Sequence, residues 1–151
     1  MNINFRDITE ENWIECTFLT TNREDKHFIC EEFVASNALS LAQSKVEEGW
    51  ITKAIYDGDT MVGFAMYGYC YDNKFYEICR FMIDHRYQGK GYGKISLLMI
   101  IEEMRKYDDC KEIFLSFDPQ NIVAKTLYTK VGFKDTGKVI DGEILYSLSV
   151  K

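Results

Sequence analysis

Apolar residues follow two different spacings along this chain. In some segments they alternate with polar residues, which is the period of a strand with one buried face. In others they recur every three or four positions, which is the period of a helix packed on a core. The alternating spacing predicts seven strands: Ile3–Ile8, Trp50–Tyr56, Met61–Tyr67, Phe75–Ile83, Glu112–Phe117, Phe133–Lys138 and Glu143–Val150. The helical spacing predicts four helices: one after Thr9–Asn12, and Phe33–Val46, Gly91–Tyr107 and Gln120–Val131.

The order of these elements defines the fold class. One strand and two helices come first, three strands joined by tight turns follow, and a helix, a strand, a helix and two strands complete the chain. This order predicts an α/β (α+β) fold in which a mixed, mostly antiparallel sheet of about six or seven strands is flanked by about four helices. Because Pro119 is the single proline and no Ser/Gly-rich linker interrupts the pattern, we expect one domain over residues 1–151.

Composition narrows the class of protein further. Of the 151 residues, 46% are hydrophobic, which excludes intrinsic disorder. The longest nearly apolar run, Ile95–Ile101, is far shorter than the roughly 20 residues of a membrane span. Met1–Glu10 lacks the apolar centre of a secretory signal, so we expect no membrane partner. Five cysteines without a CxxC pattern and two histidines predict no metal site and a reducing, cytoplasmic location.

Charge is distributed unevenly along the chain. The net charge is −6, which disfavours nucleic-acid binding because a phosphate backbone requires a basic surface. Residues 1–50 contain four Lys/Arg and ten Asp/Glu, whereas the charges of residues 51–151 balance. The acidic N-terminal third indicates either a solvated surface or attraction for a cationic partner.

A glycine-rich segment between a predicted strand and a predicted helix carries the clearest chemical signal. Gly89, Gly91 and Gly93 stand at alternate positions, so backbone N–H groups can approach a ligand without obstruction by Cβ atoms. Positions 80–94 hold four basic residues against one acidic residue. Backbone donors, positive charge and a helix N-terminus together predict a phosphate site. The alternative is a flexible glycine loop. The Walker A and GxGxxG dinucleotide patterns are both absent.

The run Gln88-Gly89-Lys90-Gly91-Tyr92-Gly93 resembles the acyl-CoA-binding motif [Q/R]-x-x-G-x-[G/A] of the GNAT superfamily of N-acetyltransferases. The resemblance extends to Asn121–Ala124, to Leu127–Phe133 and to the order of the elements, so it covers nearly the whole chain. Segments similar to the bacterial spermine/spermidine (polyamine) acetyltransferase branch are Phe33–Asn37, Leu41–Gln43 and Val62–Gly68.

This resemblance implies that acetyl-CoA is the cosubstrate and that no metal is needed. The pyrophosphate would lie on the backbone amides of the glycine segment. The pantetheine arm would lie beside a strand that is splayed from its neighbour, with an N–H near Met82 or Ile83 directed at the thioester oxygen. Asn121 would bond the pantetheine, although it is equally suited to be a helix N-cap. The implied cofactor-binding residues are Phe81, Met82, Ile83, Gln88, Gly89, Lys90, Gly91, Tyr92, Gly93, Lys94 and Asn121.

The resemblance also implies catalytic roles. Tyr128 occupies the position of a general acid for the leaving thiolate, and its alternative is an aromatic residue on the apolar face of the last helix. Polyamine-type relatives often carry a carboxylate where this chain has Cys79. Glu77, two residues earlier on the same strand face, is our candidate base. Water as the base, Cys79 as a packing residue and Glu77 as a surface charge remain the alternatives.

The predicted reaction is direct acetyl transfer in a ternary complex to a primary amine, with a polyamine such as spermine or spermidine preferred. Glu31 and Glu32 are candidate substrate-binding residues because carboxylates pair with ammonium groups, and solvation is their alternative role. A protein or peptide amine and an aminoglycoside are the alternative acceptors. A non-catalytic acyl-CoA sensor is the alternative class. Dimers are common in such families, so a homodimer is compatible with the resemblance.

Overall fold

A mixed seven-stranded sheet organises the part of the chain that the computed structural model describes, residues 1–21 and 36–151. In chain order its elements are β1 (Ile3–Asp7), α1 (Trp13–Phe18), α2 (Asn37–Val46), β2 (Trp50–Asp57), β3 (Thr60–Cys70), β4 (Phe75–Ile83), α3 (Tyr92–Arg105), β5 (Glu112–Phe117), α4 (Ile122–Val131), β6 (Lys134–Ile140) and β7 (Glu143–Ser149). The strand order is β1-β2-β3-β4-β5-β7-β6, and only β4 and β5 run parallel. The predicted fold class is confirmed.

Several boundaries differ from the prediction for local reasons. The α3 helix begins at Tyr92 because Gly91 has a φ of 91°, which ends the loop in a left-handed conformation. The α4 helix begins at Ile122 because the Asn121 side chain caps it. The α2 helix starts after Ser36, whose hydroxyl accepts a hydrogen bond from the Leu39 N–H at 3.0 Å. The predicted residues 33–35 of this helix lie outside the described residues.

The segment before α1 forms a turn rather than a side-chain cap. Asn12 stands at the N-cap position, but its side chain makes no capping hydrogen bond to α1. Its Oδ1 instead accepts from the Thr9 N–H at 2.8 Å, and its Nδ2 donates to the Asp7 carbonyl at 3.0 Å. Asn12 therefore connects the end of β1 to the start of α1.

The sheet buries both of its faces. Neighbouring residues alternate between two clusters, so Ala54 and Phe64 point to one face while Ile55 and Ala65 point to the other. We call the face packed with residues of α3 and α4 the first face; its buried residues include Ile78, Ile83, Leu97, Ile100, Ile113, Leu115, Tyr128 and Phe133. We call the opposite face the second face; its buried residues include Cys16, Leu19, Tyr56, Met61, Met66 and Met82.

The two parallel strands separate soon after they begin. Their register contains only the pairs Tyr76–Ile113 and Glu77–Phe114, although β4 continues to Ile83. We call the space beside Ile78–Ile83 the β4–β5 gap. On its other edge β4 stays paired with β3, and β5 stays paired with β7. Both strands therefore remain in the sheet although they no longer pair with each other.

A bulge lies in β4 at the same level. The pairing with β3 shifts between Met66–Arg80 and Tyr67–Ile78, which leaves Cys79 as an extra residue in β4. A bulge bends its strand and increases the local twist, and this accounts for the divergence of β4 from β5.

No helix within residues 1–21 and 36–151 is both long enough and apolar enough to cross a membrane.

Candidate active site

The glycine segment forms a loop that leads from β4 into α3. Gly89 and Gly91 have φ angles of 75° and 91°, and a Cβ atom at either position would meet nothing within 4 Å. The two glycines are therefore required by the backbone conformation, and the space beside them is open. Gly93 differs, because its Cβ would lie 3.5 Å from Leu127 in ordinary packing contact.

The start of α3 presents backbone donors to this open space. Gly91 is the N-cap and offers no side chain to satisfy the first turn. The Ile95 N–H donates to the Gly91 carbonyl at 3.3 Å, whereas N–H groups earlier in a helix lack an acceptor four residues back. These donors and the positive end of the helix dipole favour an anion. Lys90 and Lys94 add positive charge to the same segment.

Side-chain hydrogen bonds hold the loop at both ends. The Gln88 Nε2 donates to the Ile83 carbonyl at 3.0 Å and so fastens the loop to the end of β4. The Tyr92 hydroxyl donates to Asp57 Oδ2 at 2.5 Å, and the Asn2 N–H donates to Asp57 Oδ1 at 2.8 Å. The hydrogen bond from Tyr92 is the main cause of the lowered pKa of Asp57. The α3 N-terminus is thereby tied to the end of β2.

The stretch Phe81–Ile83 lies along the β4–β5 gap. Phe81 and Ile83 belong to the first face and Met82 to the second. The register pairs these residues with β3 on one edge, as Ala65–Phe81, Phe64–Met82 and Gly63–Ile83. In an antiparallel pair only alternate residues bond across, so the remaining backbone groups of this stretch point into the gap. An extended ligand with amide groups can bind there as an added strand.

Two predicted site residues lie on α4. Asn121 Oδ1 accepts from the Ala124 N–H at 3.1 Å, so the N-cap role is confirmed. Tyr128 is largely buried on the first face, with its ring centroid 5.2 Å from Phe117 and 6.0 Å from Phe133. Burial, and to a lesser degree the charge of Glu143, raise the pKa of Tyr128 above its usual range. The phenol therefore stays protonated.

Cys79 packs against the second face and Ile78 against the first, so the alternation of the strand puts Glu77 on the second face with Cys79. Glu77 is the last residue of β4 to pair with β5, so its position marks the closed end of the gap. Burial raises the pKa of the Glu77 carboxyl, and burial raises that of the Cys79 thiol to about 12. The Arg80 Nη1 donates to the Cys79 carbonyl at 2.7 Å and contacts its Sγ at 3.2 Å. Tyr128 belongs to the first face, so the two candidate catalytic side chains approach the sheet from opposite sides.

Glu31 and Glu32 lie outside the described residues. The structure adds an acidic cavity of about 290 Å³ that the sequence prediction did not include. Its lining consists of Glu47, Glu48, Trp50, Cys70, Tyr71 and Asp72. The adjacent acids at positions 47 and 48 were visible in the sequence, but their approach to the β3–β4 turn depends on strand pairing. Within residues 1–21 and 36–151 no group of three or more His, Cys, Asp or Glu side chains is arranged to hold a metal ion.

Comparison with known proteins identifies the class. The sequence pattern of the acetyltransferase (GNAT) family matches residues 5–133. The spermine/spermidine N(1)-acetyltransferase of Bacillus subtilis (strain 168) is 34% identical over 145 residues, which cover 92% of each chain. The probable spermine N(1)-acetyltransferase of Bacillus subtilis subsp. natto (strain BEST195) is 33% identical over the same shares. The chain therefore belongs to the GNAT acetyltransferase family.

Solved structures agree with this fold. The PaiA N-acetyltransferase of Thermoplasma acidophilum, solved with coenzyme A, superposes with a TM-score of 0.71 at 18% identity, with 99% of each chain covered. Mutant forms of the Vibrio cholerae spermidine/spermine N-acetyltransferase SpeG give a TM-score of 0.70 at 16% identity, with 99% of this chain and 95% of that chain covered. At these identities the likeness concerns the fold alone. The predicted class, an acetyl-CoA-dependent N-acetyltransferase, is confirmed by the family membership and the named relatives.

Proposed function

We propose that this enzyme transfers the acetyl group of acetyl-CoA to a primary amine of a polyamine such as spermine or spermidine, by direct attack in a ternary complex. The β4–β5 gap, which leads toward the glycine loop, is the observation that carries the proposal. The acceptor class is supported by the two Bacillus relatives, which are named for spermine or spermidine and match 92% of this chain.

The residues around the gap suit an acyl-CoA. Backbone N–H groups of the loop would hold the pyrophosphate, with Lys90 and Lys94 supplying charge. The exposed strand edge at Phe81–Ile83 would hold the pantetheine amides, and Asn121 would add a hydrogen bond beside its capping role. Acetyl-CoA supplies an activated thioester. The loop residues assigned to it are Gln88, Gly89, Lys90, Gly91, Tyr92, Gly93 and Lys94.

Tyr128 would protonate the leaving thiolate. Its raised pKa keeps the phenol in the donor form at neutral pH. Within the described part of the chain its hydroxyl makes no hydrogen bond, so the proposed proton transfer would require no existing bond of the phenol to be broken. An amine acceptor must also lose a proton, because an alkylammonium like that of lysine has a pKa of about 10.4. Glu77 would accept this proton directly or through water. The upward shift of its pKa brings a carboxyl closer to the range of a useful base.

The acidic cavity supports a cationic acceptor. Three carboxylates and two aromatic rings line it, and a polyamine carries several ammonium groups that pair with both. Cys70 lies in this lining, and its thiol is one of the groups that influence the pKa of Glu77, so the proposed base is close to one residue of the cavity. A peptide amine or an aminoglycoside would suit the same charges. The acidic residues Glu31 and Glu32 remain candidates for the acceptor side.

The proposal covers residues 1–151 as one catalytic domain in the cytoplasm. The reaction requires neither nucleic acid nor a membrane. A homodimer would use the final strands β6 and β7, of which β6 is one of the two edge strands of the sheet.

A thiol-release assay with acetyl-CoA tests the proposed function. The amine panel should contain spermine, spermidine, a diamine, an aminoglycoside and a lysine peptide. We expect coenzyme A release with the polyamines at a kcat/KM at least tenfold above that of the other amines. Preference for another amine would contradict the proposed polyamine acceptor but would still support acetyl transfer from acetyl-CoA to an amine. Coenzyme A binding without release for any amine would favour the sensor class.

Replacing Tyr128 by phenylalanine removes the proposed acid and keeps the buried ring. We expect kcat to fall roughly 100-fold, the lower range for general acid catalysis. The Kd for coenzyme A should stay within about twofold, because loop and strand contacts are unchanged. Turnover and calorimetric binding measured on the same preparation separate the two effects. Wild-type turnover in Tyr128→Phe would reject the acid role.

Replacing Glu77 by glutamine tests the base, with Cys79→Ala as the matched control on the same strand face. In the wild type, log kcat/KM should steepen as pH falls below the pKa of Glu77, since protonation of the carboxylate adds to protonation of the amine. We expect this steepening to disappear in Glu77→Gln and to persist in Cys79→Ala. An unchanged profile in Glu77→Gln would assign the proton transfer to water or to another group.

A further inference from the structure

A buried carboxylate lies between the end of β4 and the glycine loop. Asp84 follows β4 directly, and only 1% of its surface is exposed. Within residues 1–21 and 36–151 it is the sole buried residue with an ionisable acidic or basic side chain apart from cysteines and tyrosines. Burial of a charge is costly unless several donors compensate it. The partners of Asp84 therefore indicate what this carboxylate holds in place.

One set of partners belongs to the start of the loop. Asp84 Oδ1 accepts from the Arg86 backbone N–H at 3.0 Å and from the Arg86 Nε at 2.7 Å. The Tyr87 N–H donates to the Asp84 carbonyl at 2.9 Å. These bonds form the single 3₁₀ turn His85–Tyr87, which precedes Gln88. The carboxylate thus sets the direction in which the chain enters the glycine loop.

The other partner belongs to the segment that follows α1. Asp84 Oδ2 accepts from the Thr20 N–H at 3.0 Å, and the His85 N–H donates to the Thr20 carbonyl at 2.9 Å. A second set of contacts links α1 to the end of β4 through Asn37. Its Nδ2 donates to the Cys16 carbonyl at 2.9 Å and lies 3.8 Å from the Met82 Sδ. The loop entrance is therefore supported by a segment more than sixty residues earlier in the chain.

We propose that Asp84 is a positioning residue for the pyrophosphate of the cosubstrate, which it serves by holding the entrance of the glycine loop against Thr20. This inference rests on the proposed function, because it assumes that the loop binds the pyrophosphate. Gly89 and Gly91 give the loop a large conformational entropy, and ordering it during binding would weaken the affinity. A loop whose entrance is already fixed loses less entropy when the ligand binds.

The substitution Asp84→Asn removes this function with little change in shape. An amide has one acceptor oxygen and an NH₂ group, so the three N–H donors that meet the carboxylate can no longer all be satisfied. The charge that strengthens these hydrogen bonds is also lost. Because Asp84 acts through the loop, its loss should weaken only the binding of the pyrophosphate, which is the part of the ligand that the loop would contact.

The experiment compares donors with and without the pyrophosphate. The Kd for coenzyme A is measured by calorimetry, and kcat/KM is measured with acetyl-CoA and with S-acetylpantetheine. For Asp84→Asn we expect the Kd for coenzyme A to rise at least about tenfold, as for the loss of a charge-assisted hydrogen-bond set. We expect kcat/KM with S-acetylpantetheine to stay within about twofold of the wild type.

Met104→Ala serves as the control for stability. Met104 is fully buried at the opposite end of α3, so its truncation destabilises the fold without touching the loop. We expect this variant to bind coenzyme A like the wild type.

If Asp84→Asn does not fold, Thr20→Pro removes one donor and retains the carboxylate. Leu19 already has the extended conformation (φ −64°, ψ 138°) that a following proline requires. This variant should show a smaller rise in the Kd for coenzyme A in the same direction.

Three results overturn the inference. The first is an unchanged Kd for coenzyme A in Asp84→Asn. The second is a loss of kcat/KM that is equal for acetyl-CoA and S-acetylpantetheine in Asp84→Asn. The third is a rise in the Kd for coenzyme A in Met104→Ala as large as that in Asp84→Asn. The second or the third result would make Asp84 a residue of general stability. Failure of the wild type to bind coenzyme A is a different outcome, because it contradicts the proposed function itself.

Discussion

The separation of β4 from β5 is the constraint on which the rest of this structure depends. A sheet normally satisfies the backbone groups of its inner strands by continuous pairing, and unpaired buried groups are costly. Here β4 keeps its pairing with β3 but loses β5 after Glu77, so the Ile78–Ile83 edge of β4 has no neighbouring strand on that side within the described residues, and this is the edge that would receive the ligand. The bulge at Cys79 and the antiparallel pairing of β5 with β7 maintain this geometry from the two sides.

Elements on both faces converge on the gap. The first face brings Tyr128 into the cluster that also contains Ile78 and Ile83, and the second face brings Glu77 beside Cys70. Because α3 begins at the far end of β4, its N-terminus and the glycine loop lie at the end where an anion is required. The proposed acid would therefore be held by α4, the proposed base by β4 itself, and the anion by the glycine loop and the start of α3.

Most of the fold was predictable from the sequence because the strands and helices follow from local patterns of apolar residues and of helix-capping residues. Alternating apolar residues predicted each of the seven strands, and glycine and asparagine at helix ends explain the boundaries of α3 and α4. The gap was implied only by the family resemblance, since pairing between β4 and β5 depends on residues nearly forty positions apart. The burial of Asp84 was missed for the same reason. In the sequence it was one acid among basic residues, and its contact with Thr20 is a product of tertiary structure.

The most direct test of this account is a titration of ¹⁵N-labelled protein with coenzyme A, followed by the amide resonances. The account predicts that the largest shifts occur at Gly89, Gly91 and Gly93 and along Ile78–Ile83, because the loop and the free edge of β4 receive the ligand. Residues of β6, the edge strand that pairs only with β7 among the described strands, should be unchanged. Saturating coenzyme A that left the loop and β4 resonances unmoved would contradict it.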